Sequence, residues 1–321
     1  MNEYVGIDIG GTKIEAVLVD ERNTVLNTCR IPARPGAQNV LDDVIGITRR
    51  LGGEPVAVGV GLPGQVDSVT GVVRDIVNLD IVKLELGREA SKALGIPVQV
   101  ENDVNAAALG AVALIDDQVS AGDTVVFLNF GTGLAAGVVR DGHVERGYSG
   151  SYGEIGHIPV DPNKFLCNCG QRGCLETVTS GGSVAKLWPG QPPLPDLIEK
   201  AKAGEPRAME VYGIVQHGLA DTIQVVGQAY DPKLIVLGGG MAKTGRPLLD
   251  MIVEEMRRRE ETSHFITSLH LPERLRLAPV EQPIGAIGAA LAAPRDRCAG
   301  VVFRHDGRLP CAPSHGRRPL A

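Results

Sequence analysis

Aromatic residues are scarce in this sequence, in which Phe, Trp and Tyr together make up 3% of 321 residues. The hydrophobic core must therefore be built from Val, Leu, Ile and Ala packed around 41 glycines. Such a composition suits layers of helices and sheets, the α/β class. Because the chain is longer than the ~250 to 300 residues at which a single hydrophobic core stops growing, we expect two lobes.

The sequence also lacks an excess of basic residues and long apolar runs. Its formal net charge of −6 gives no electrostatic reason to bind nucleic acid or an anionic membrane. No apolar run approaches the ~20 residues of a membrane span, and residues 1–4 carry no basic region followed by an apolar signal core. We therefore expect a cytoplasmic protein that binds small molecules, not nucleic acid or a membrane.

Cysteines are too few and too unevenly placed for a disulfide scaffold, because three of the six lie between residues 167 and 174. His157, Cys167, Cys169 and Cys174 lie within 18 residues and supply the four ligands of a closed tetrahedral zinc site. Their spacing differs from that of DNA-reading zinc fingers. We predict a structural zinc ion; the alternative is three buried thiols without a metal.

Two segments of the chain share one pattern of strands and glycine turns. Each consists of three predicted strands, near residues 4–9, 13–20 and 24–31 in the first segment and near 124–130, 134–140 and 143–146 in the second. A displacement of 121 residues superposes Gly10 on Gly131 and Asp20 on Asp141. An internal repeat predicts two lobes of like topology that face each other across a cleft. The alternative is two unrelated hairpins with glycine turns.

Strands and helices alternate in the rest of the chain, which indicates an α/β fold. Helices are predicted near residues 40–51, 86–94, 104–114, 200–230 and 247–259, and strands near 56–61 and 233–237. The predicted domains are an N-terminal lobe of residues 1–115 and a C-terminal lobe of residues 116–280 with the zinc loop at 157–176. Residues 294–321, which contain six Arg and four Pro, are predicted to form a flexible tail.

Three glycine-containing turns each follow a predicted strand. Backbone amides in such turns can approach phosphate oxygens because no Cβ intervenes, and a carboxylate at a strand end could hold Mg²⁺ through water. One turn alone is more often an ordinary loop, but three of them in a duplicated α/β fold predict a nucleotide site. The predicted nucleotide-binding residues are Asp8, Gly10, Gly11, Thr12, Lys13, Gly131, Thr132, Gly133, Gly238, Gly239 and Gly240.

Several acidic side chains stand where a phosphate acceptor could bind. Asp103 follows the strand at 98–100 and begins an alanine-rich helix, so it is either a simple N-cap or a general base that takes a proton from a sugar hydroxyl. Asn102 would orient it. Glu154 and Glu176 flank the predicted zinc ligands, and a metal that fixes this loop would fix two acceptors for neighbouring sugar hydroxyls. The alternative for each is an exposed loop glutamate.

With these residues collected, the chain resembles the repressor, ORF, kinase (ROK) family from about residue 3 to residue 293. The motifs that carry the resemblance lie at residues 8–13, 61–64, 101–106, 131–133, 153–157 and 167–176. The resemblance implies an actin-like, ribonuclease-H-like fold of two lobes that close over substrate, in a homodimer or homotetramer. It also implies phosphoryl transfer from ATP with Mg²⁺ to a sugar, most often at the 6-hydroxyl.

By position, the resemblance makes Asp103 the catalytic base, and it implies a last helix, within residues 281–293, that returns to the first lobe. The residues that match the family's sugar contacts are Gly64, Asn102, Asp103, Glu154, His157 and Glu176. Residues 134–136 and the pair Ser151 and Tyr152 depart from the family pattern, in which glycines and small residues are usual. Because Tyr152 is next to the presumed sugar loop, the identity of the acceptor stays open.

Glucose is the leading acceptor because it is the commonest substrate of the family, and N-acetylmannosamine, fructose and a C7-cyclitol are alternatives. A sugar-sensing transcriptional repressor would need a DNA-binding helix pair before the first strand, which begins near residue 3, so we do not expect one. A sugar-binding protein without catalysis is disfavoured because Asp8, Asp103 and both glycine-threonine turns are present together.

Overall fold

The computed structural model describes residues 2–115, 117 and 119–295. In chain order the strands are β1 (Glu3–Ile9), β2 (Lys13–Val19), β3 (Val25–Pro32), β4 (Pro55–Leu62), β5 (Gln65–Asp67), β6 (Val72–Ile76), β7 (Ile81–Leu84), β8 (Val98–Asn102), β9 (Thr124–Phe130), β10 (Leu134–Arg140), β11 (His143–Val144), β12 (Leu234–Gly238) and β13 (Leu275–Leu277). The α-helices are α1 (Ala37–Leu51), α2 (Leu86–Leu94), α3 (Asp103–Leu114), α4 (Glu176–Thr179), α5 (Gly181–Leu187), α6 (Pro193–Lys202), α7 (Pro206–Tyr230), α8 (Arg246–Thr262), α9 (His264–Leu269) and α10 (Ile284–Ala292). Short 3₁₀ helices lie at Val77–Leu79, Ile155–His157, Met241–Thr244 and Leu271–Arg274. None of the described helices is long and apolar enough to cross a membrane.

Two five-stranded sheets share one strand order, which is β3-β2-β1-β4-β8 in the N-terminal lobe and β11-β10-β9-β12-β13 in the C-terminal lobe. In each sheet the first three strands of the chain are antiparallel, and the last two run parallel to the first. The predicted α/β fold with two lobes of like topology is confirmed. A third, small sheet, β5-β6-β7, belongs to the N-terminal lobe and was not predicted.

The two hairpins that opened the internal repeat differ by one residue in their turns. Ile9 pairs with Ile14 across the first turn, whereas Phe130 pairs with Leu134 across the second. The displacement of 121 residues therefore aligns β1 with β9, but β2 and β10 align with a displacement of 120. Since a shift of one residue exchanges the two faces of a strand, the repeat is maintained in the fold and not in strict sequence register.

The central strands are buried on both faces because helices cover both sides of each sheet. In the N-terminal lobe, the side of β1 that carries Val5 and Ile7 packs in one core with residues of α1 and α2. In the C-terminal lobe, Leu128 and Phe130 of β9 pack in a second core with α7 and α8. A third core lies between the sheets, where residues of α3 and α10 meet.

Helices α3 and α10 cross between the two sheets at very short range, and glycine permits the crossing. A Cβ on Gly110 of α3 would overlap the carbonyl oxygen of Ile284, and a Cβ on Gly288 of α10 would overlap that of Ala106. Each helix also packs on the sheet of the other lobe: a Cβ on Gly6 of β1 would overlap α10, and one on Gly137 of β10 would overlap α3. The helix pair therefore joins the two lobes.

The predicted tail at residues 294–321 lies outside the described residues except for its first two positions. The guanidinium of Arg295 lies 4.3 Å from the ring centroid of Tyr4 and donates a hydrogen bond of 2.9 Å to Oδ1 of Asn23. A cation over an aromatic face is an attractive arrangement. Residue 295 therefore packs against the N-terminal lobe.

Candidate active site

Asp103 lies where a parallel strand gives way to a helix, since β8 ends at Asn102 and α3 begins at Asp103. Oδ1 of Asn102 accepts hydrogen bonds from the backbone amides of Val104, at 2.9 Å, and Asn105, at 3.2 Å. Asn102 is therefore the N-cap of α3. Asp103 accepts one bond, from the amide of Val104 at 2.9 Å. The capping role that was the alternative explanation for Asp103 falls mainly to its neighbour.

The electrostatic setting of Asp103 suits a proton acceptor. Burial raises the pKa of its carboxyl above the usual value, and the nearby charge of Glu154 raises the pKa further, while hydrogen bonds from backbone amides oppose both effects. Asp8, at the end of β1, has a pKa raised to about 7 by burial and by the charges of Asp103 and Glu15. The carboxylates predicted on three separate segments are thus close enough to interact in one cleft.

An ion pair between the buried carboxylate of Glu101 and the exposed side chain of Arg146 connects the two lobes behind Asp103 and was missed in the sequence. Glu101 is 2% exposed, and one of its oxygens accepts hydrogen bonds from the backbone amide of Asn102 (3.1 Å) and from Nδ2 of Asn105 (3.2 Å). Its other oxygen accepts bonds from Nε of Arg146, at 3.0 Å, and from Nη2 of the same side chain. A carboxylate at the end of a buried strand requires a cation, which is the signal that could have prompted the search for Arg146.

The loop that carries Glu154 is fixed to the edge of the C-terminal sheet. The amide of Ala136 donates a hydrogen bond of 2.8 Å to the carbonyl of Gly153, whose φ of 93° favours glycine. A Cβ on Gly153 would overlap the carbonyl oxygen of Ala136. The next residue, Glu154, is exposed and its charge acts on Asp103, and the 3₁₀ helix that ends at His157 follows.

Glu176 connects the predicted metal loop to the second glycine turn. Its Oε1 lies 3.2 Å from Sγ of Cys167, and its Oε2 accepts a bond of 3.4 Å from the amide of Leu134. A Cβ on Gly133 would lie 2.9 Å from the same Oε2, so this glycine allows the carboxylate to approach the turn. The carboxylate predicted to hold sugar hydroxyls and the turn predicted to hold phosphate are therefore in contact.

The predicted zinc ligands come together in space. One ligand atom from each of His157, Cys167, Cys169 and Cys174 lies within 4.8 Å of all the others. Sγ of Cys169 is 3.7 Å from Sγ of Cys174, and Sγ of Cys167 is 3.8 Å from Nδ1 of His157. Zinc–sulfur bonds of ~2.3 Å in a tetrahedron place two sulfurs about 3.8 Å apart. The donor set and its spacing therefore fit Zn²⁺, with His157 as an Nδ1 ligand.

Tyr152, the residue that put the acceptor in doubt, turns its ring toward a helix of the C-terminal lobe. Its ring centroid is 5.4 Å from that of Tyr230, at the end of α7, and the two planes make an angle of 64°. This is the edge-to-face arrangement that aromatic pairs prefer. The departure from the family pattern thus has a packing explanation.

Two cavities are lined by seven of the eleven predicted nucleotide-binding residues. The larger, of about 480 Å³, which we call the base cavity, is lined by Gly131, Thr132 and Gly240, and by the apolar side chains of Leu194 and Met241. Further walls come from residues 192–195 and from the glycine pair 181–182, which the sequence analysis did not assign. The run Pro192-Pro193-Leu194-Pro195 was the available signal, since it forms a rigid apolar wall.

The smaller cavity, of about 270 Å³, which we call the cleft cavity, is lined by Asp8, Lys13, Gly238 and Gly239 among others. Gly10, Gly11, Thr12, Gly64 and Gly133 line neither cavity. Gly64 has a φ of 91° and forms the exposed turn between β4 and β5. The geometry contradicts none of the predicted site residues, and the roles of all of them stay predictions.

Known proteins similar to this chain identify its family. The profile of the ROK family matches residues 4–296. The chain therefore belongs to the ROK family. Among curated ROK-like relatives, a glucokinase of Streptomyces coelicolor is 31% identical over 80% of this chain and 88% of its own length. An N-acetyl-D-glucosamine kinase of Vibrio cholerae is 32% identical over 80% of this chain and 88% of its own length.

Solved structures of ROK proteins share the fold. A ROK hexokinase from Thermus thermophilus is 31% identical, with a TM-score of 0.77, and the match covers 91% of this chain and 97% of that one. A ROK family glucokinase from Streptomyces griseus, in complex with glucose and AMPPNP, is 29% identical, with a TM-score of 0.71, over 90% of this chain and 98% of that one. The predicted membership of the ROK family and its actin-like fold are confirmed.

Proposed function

We propose that this chain is an ATP-dependent sugar kinase that transfers the γ-phosphoryl group of ATP to a hydroxyl of a hexose. The observation that carries the proposal is the meeting of Asp103, with its raised pKa, and Asp8, which lines the cleft cavity. A candidate base and a candidate phosphate site therefore adjoin each other. The S. coelicolor glucokinase and the nucleotide and glucose bound to the S. griseus enzyme support the same assignment.

In this reaction Asp103 is the general base. Its carboxylate accepts the proton of the sugar hydroxyl while that oxygen forms a bond to the γ-phosphorus and the bond from γ-phosphorus to the β–γ bridging oxygen breaks, so that ADP leaves. Little covalent chemistry is asked of the protein, and catalysis rests on positioning and on neutralisation of charge. The ion pair of Glu101 and Arg146 holds the end of β8, and with it Asn102 and Asp103, against the C-terminal lobe.

Two metal ions accompany the proposed reaction. Mg²⁺ bound to ATP would neutralise phosphate charge, and Asp8 is the residue that would hold it through water. Zn²⁺ would be held by His157 and the three clustered cysteines and would be structural, because four protein ligands would close its coordination sphere. The zinc loop fixes Glu176 beside the second glycine turn.

The proposed acceptor is glucose, phosphorylated at the 6-hydroxyl. Glucokinases recur among the similar proteins, and glucose is the ligand of the S. griseus structure. N-acetyl-D-glucosamine is the second candidate, because the V. cholerae kinase has the higher identity of the two relatives compared above. N-acetylmannosamine, fructose and a C7-cyclitol complete the set. A homodimer or homotetramer stays our prediction for the assembly, which light scattering after gel filtration would check.

The test is a coupled assay of ADP release with Mg-ATP and a panel of these five acceptors, with a control that contains no acceptor. We expect the rate with glucose to exceed that of the control and of the other four. A higher rate with N-acetyl-D-glucosamine than with glucose would show that N-acetyl-D-glucosamine is the acceptor. ADP release equal to the control with every sugar, alongside sugar binding measured by calorimetry, would replace the kinase with a sugar-sensing protein.

A further inference from the structure

The cleft cavity is rich in carboxylates. Their negative charge must be balanced by positive charge when a nucleotide binds. Asp8, Glu15 and Glu281 line the cleft cavity, and the charge of Asp103 reaches Asp8. A nucleoside triphosphate would add several negative charges to this region. Phosphate sites in proteins supply lysine, arginine or a metal ion for that purpose. The cations in the walls of the cleft cavity are therefore candidates for phosphate binding.

Two of the three cations that line the cleft cavity already hold a carboxylate. Nζ of Lys13 lies 3.1 Å from Oε2 of Glu15, and Nη2 of Arg30 lies 2.6 Å from Oε1 of the same residue. These bonds lower the pKa of Glu15 although burial acts to raise it, so the carboxylate stays charged between them. Lys13, the cation predicted for the nucleotide site, is therefore committed in part to a neighbour on its own strand.

Lys243 is the third cation, and its surroundings differ. It makes no ion pair among the residues that the structure describes, and its side chain is exposed. Its backbone is fixed, because it lies on the 3₁₀ helix Met241–Thr244, in which Met241 and Ala242 are buried. Lys243 lines both the base cavity and the cleft cavity. It therefore lies where the two cavities adjoin.

A nucleotide whose base occupies the base cavity must pass its phosphates through that junction to reach Asp8 and Asp103. We propose that Lys243 is a phosphate-binding residue of the donor site, which holds the phosphates of the nucleotide where the base cavity meets the cleft. The inference rests on the proposed kinase function and assigns a residue to its donor site. A lysine acts there as a point charge with three donors, which suits phosphate oxygens.

The experiment measures the binding of ADP and of adenosine by calorimetry to four proteins: the wild type, Lys243→Ala, Lys243→Arg and Lys202→Ala. Lys202 is the matched control, an exposed lysine at the far end of α6 in the same lobe. Loss of a charge-assisted hydrogen bond weakens binding about ten- to hundredfold. We expect Lys243→Ala to weaken ADP binding by this factor. We expect Lys243→Arg to keep most of the affinity for ADP and Lys202→Ala to leave it unchanged.

Adenosine separates a phosphate contact from a wall of the base cavity, because it lacks phosphate. We expect its affinity to be equal for the wild type and Lys243→Ala. An unchanged affinity for ADP, or equal losses for ADP and adenosine, would overturn the assignment. The kinase proposal is tested independently: a wild type that binds ADP in a Lys243-dependent manner but turns over no sugar would keep this assignment and refute the kinase.

Discussion

The two lobes have the same strand order, and in each a carboxylate lies at the start of a helix. In one lobe the carboxylate belongs to that helix, and in the other it comes from a strand of the opposite lobe. In the N-terminal lobe β8 leads directly into α3, whose first residue is Asp103. In the C-terminal lobe β13 leads through a loop into α10, whose Gly285 allows Asp8 of the other lobe to approach; a Cβ there would lie 2.6 Å from Cγ of Asp8. Asp103 thus lies on a helix of its own lobe, whereas Asp8 lies on a strand of the N-terminal lobe and approaches a helix of the C-terminal lobe.

The lobes also differ in the length of the third strand of each sheet and in the segments that follow it. The third strand of the N-terminal meander, β3, has eight residues, whereas its counterpart β11 has two. The chain of the C-terminal lobe leaves the sheet edge early and forms the loops that carry Glu154 and the cysteine cluster. The duplicated frame therefore fixes where the cleft lies, and we infer that the unequal insertions supply the contacts for two different substrates.

The largest effect that we expect is a loss of turnover on substitution of Asp103, the carboxylate that lies on a helix of its own lobe. Asp103→Asn keeps the size of the side chain and removes the proton acceptor, so turnover falls by at least ~10² to 10⁴-fold while sugar still binds. Turnover comes from the ADP-release assay and binding from calorimetry. Asp8→Asn is the comparison: we expect it to raise the KM for Mg-ATP more than it lowers turnover. Near-normal turnover of Asp103→Asn would remove this residue from the chemistry.

The crossing of α3 and α10 offers a way to break the connection between the lobes. A methyl group added at Gly288 would overlap the carbonyl oxygen of Ala106, so Gly288→Ala should lower the free energy of unfolding by about 3 kcal/mol. The control is Gly213→Ala in α7, where no atom lies within 4 Å of an added Cβ, and which should gain about 1 kcal/mol. Urea denaturation measures both. Equal stability of the two variants would show that the crossing tolerates side chains.

The cysteine cluster distinguishes the C-terminal lobe from its counterpart. Cys169→Ser should lower both the zinc content and the melting temperature, because metal binding contributes to folding free energy. Cys29→Ser changes a cysteine on β3, in the other lobe, and should leave the zinc content as it is. Native mass spectrometry and thermal melting supply the two measurements. Full zinc content in Cys169→Ser would refute the ligand set.

A smaller effect concerns the interaction of the two lobes across the cleft. The raised pKa of Asp103 means that kcat/KM should fall as the pH is lowered through that pKa, since the base is then protonated. Glu154→Gln removes a negative charge that raises this pKa, so the acid limb of the profile should move to lower pH. The position of the limb is the relevant quantity, because the height also reflects sugar contacts. If the acid limb of Glu154→Gln lies at the same pH as that of the wild type, the charge of Glu154 does not act on the pKa of Asp103.

Local patterns in the sequence were sufficient for the frame of the fold and for the metal cluster. The buried strands β1, β4, β9 and β12 are rich in apolar residues and are each followed by a glycine turn, and the four predicted zinc ligands lie within one short segment. The short polar strands β5 to β7 were missed because they lack such runs. The length of the chain and its internal repeat predicted two lobes, and the family resemblance implied that they form an actin-like fold.

What the sequence could not reveal depends on residues far apart in the chain. Arg146 and Glu101 are separated by 45 residues, and neither position has a local pattern that indicates its partner. The glycines at the crossing of α3 and α10 resemble ordinary helical glycines until the other helix is in place. Lys243 becomes a candidate only when the base cavity and the cleft cavity are both known.

Phosphoryl transfer from a nucleotide to a sugar hydroxyl in the cleft between the lobes is the central activity that we propose. The most direct test is ³¹P NMR of a reaction that contains the wild-type protein, Mg-ATP and glucose. We predict the signals of ADP and of one new phosphomonoester, with coupling to the two protons on carbon 6 of the sugar. Formation of ADP and inorganic phosphate without a sugar phosphate, or no reaction with any acceptor of the panel, would contradict the account.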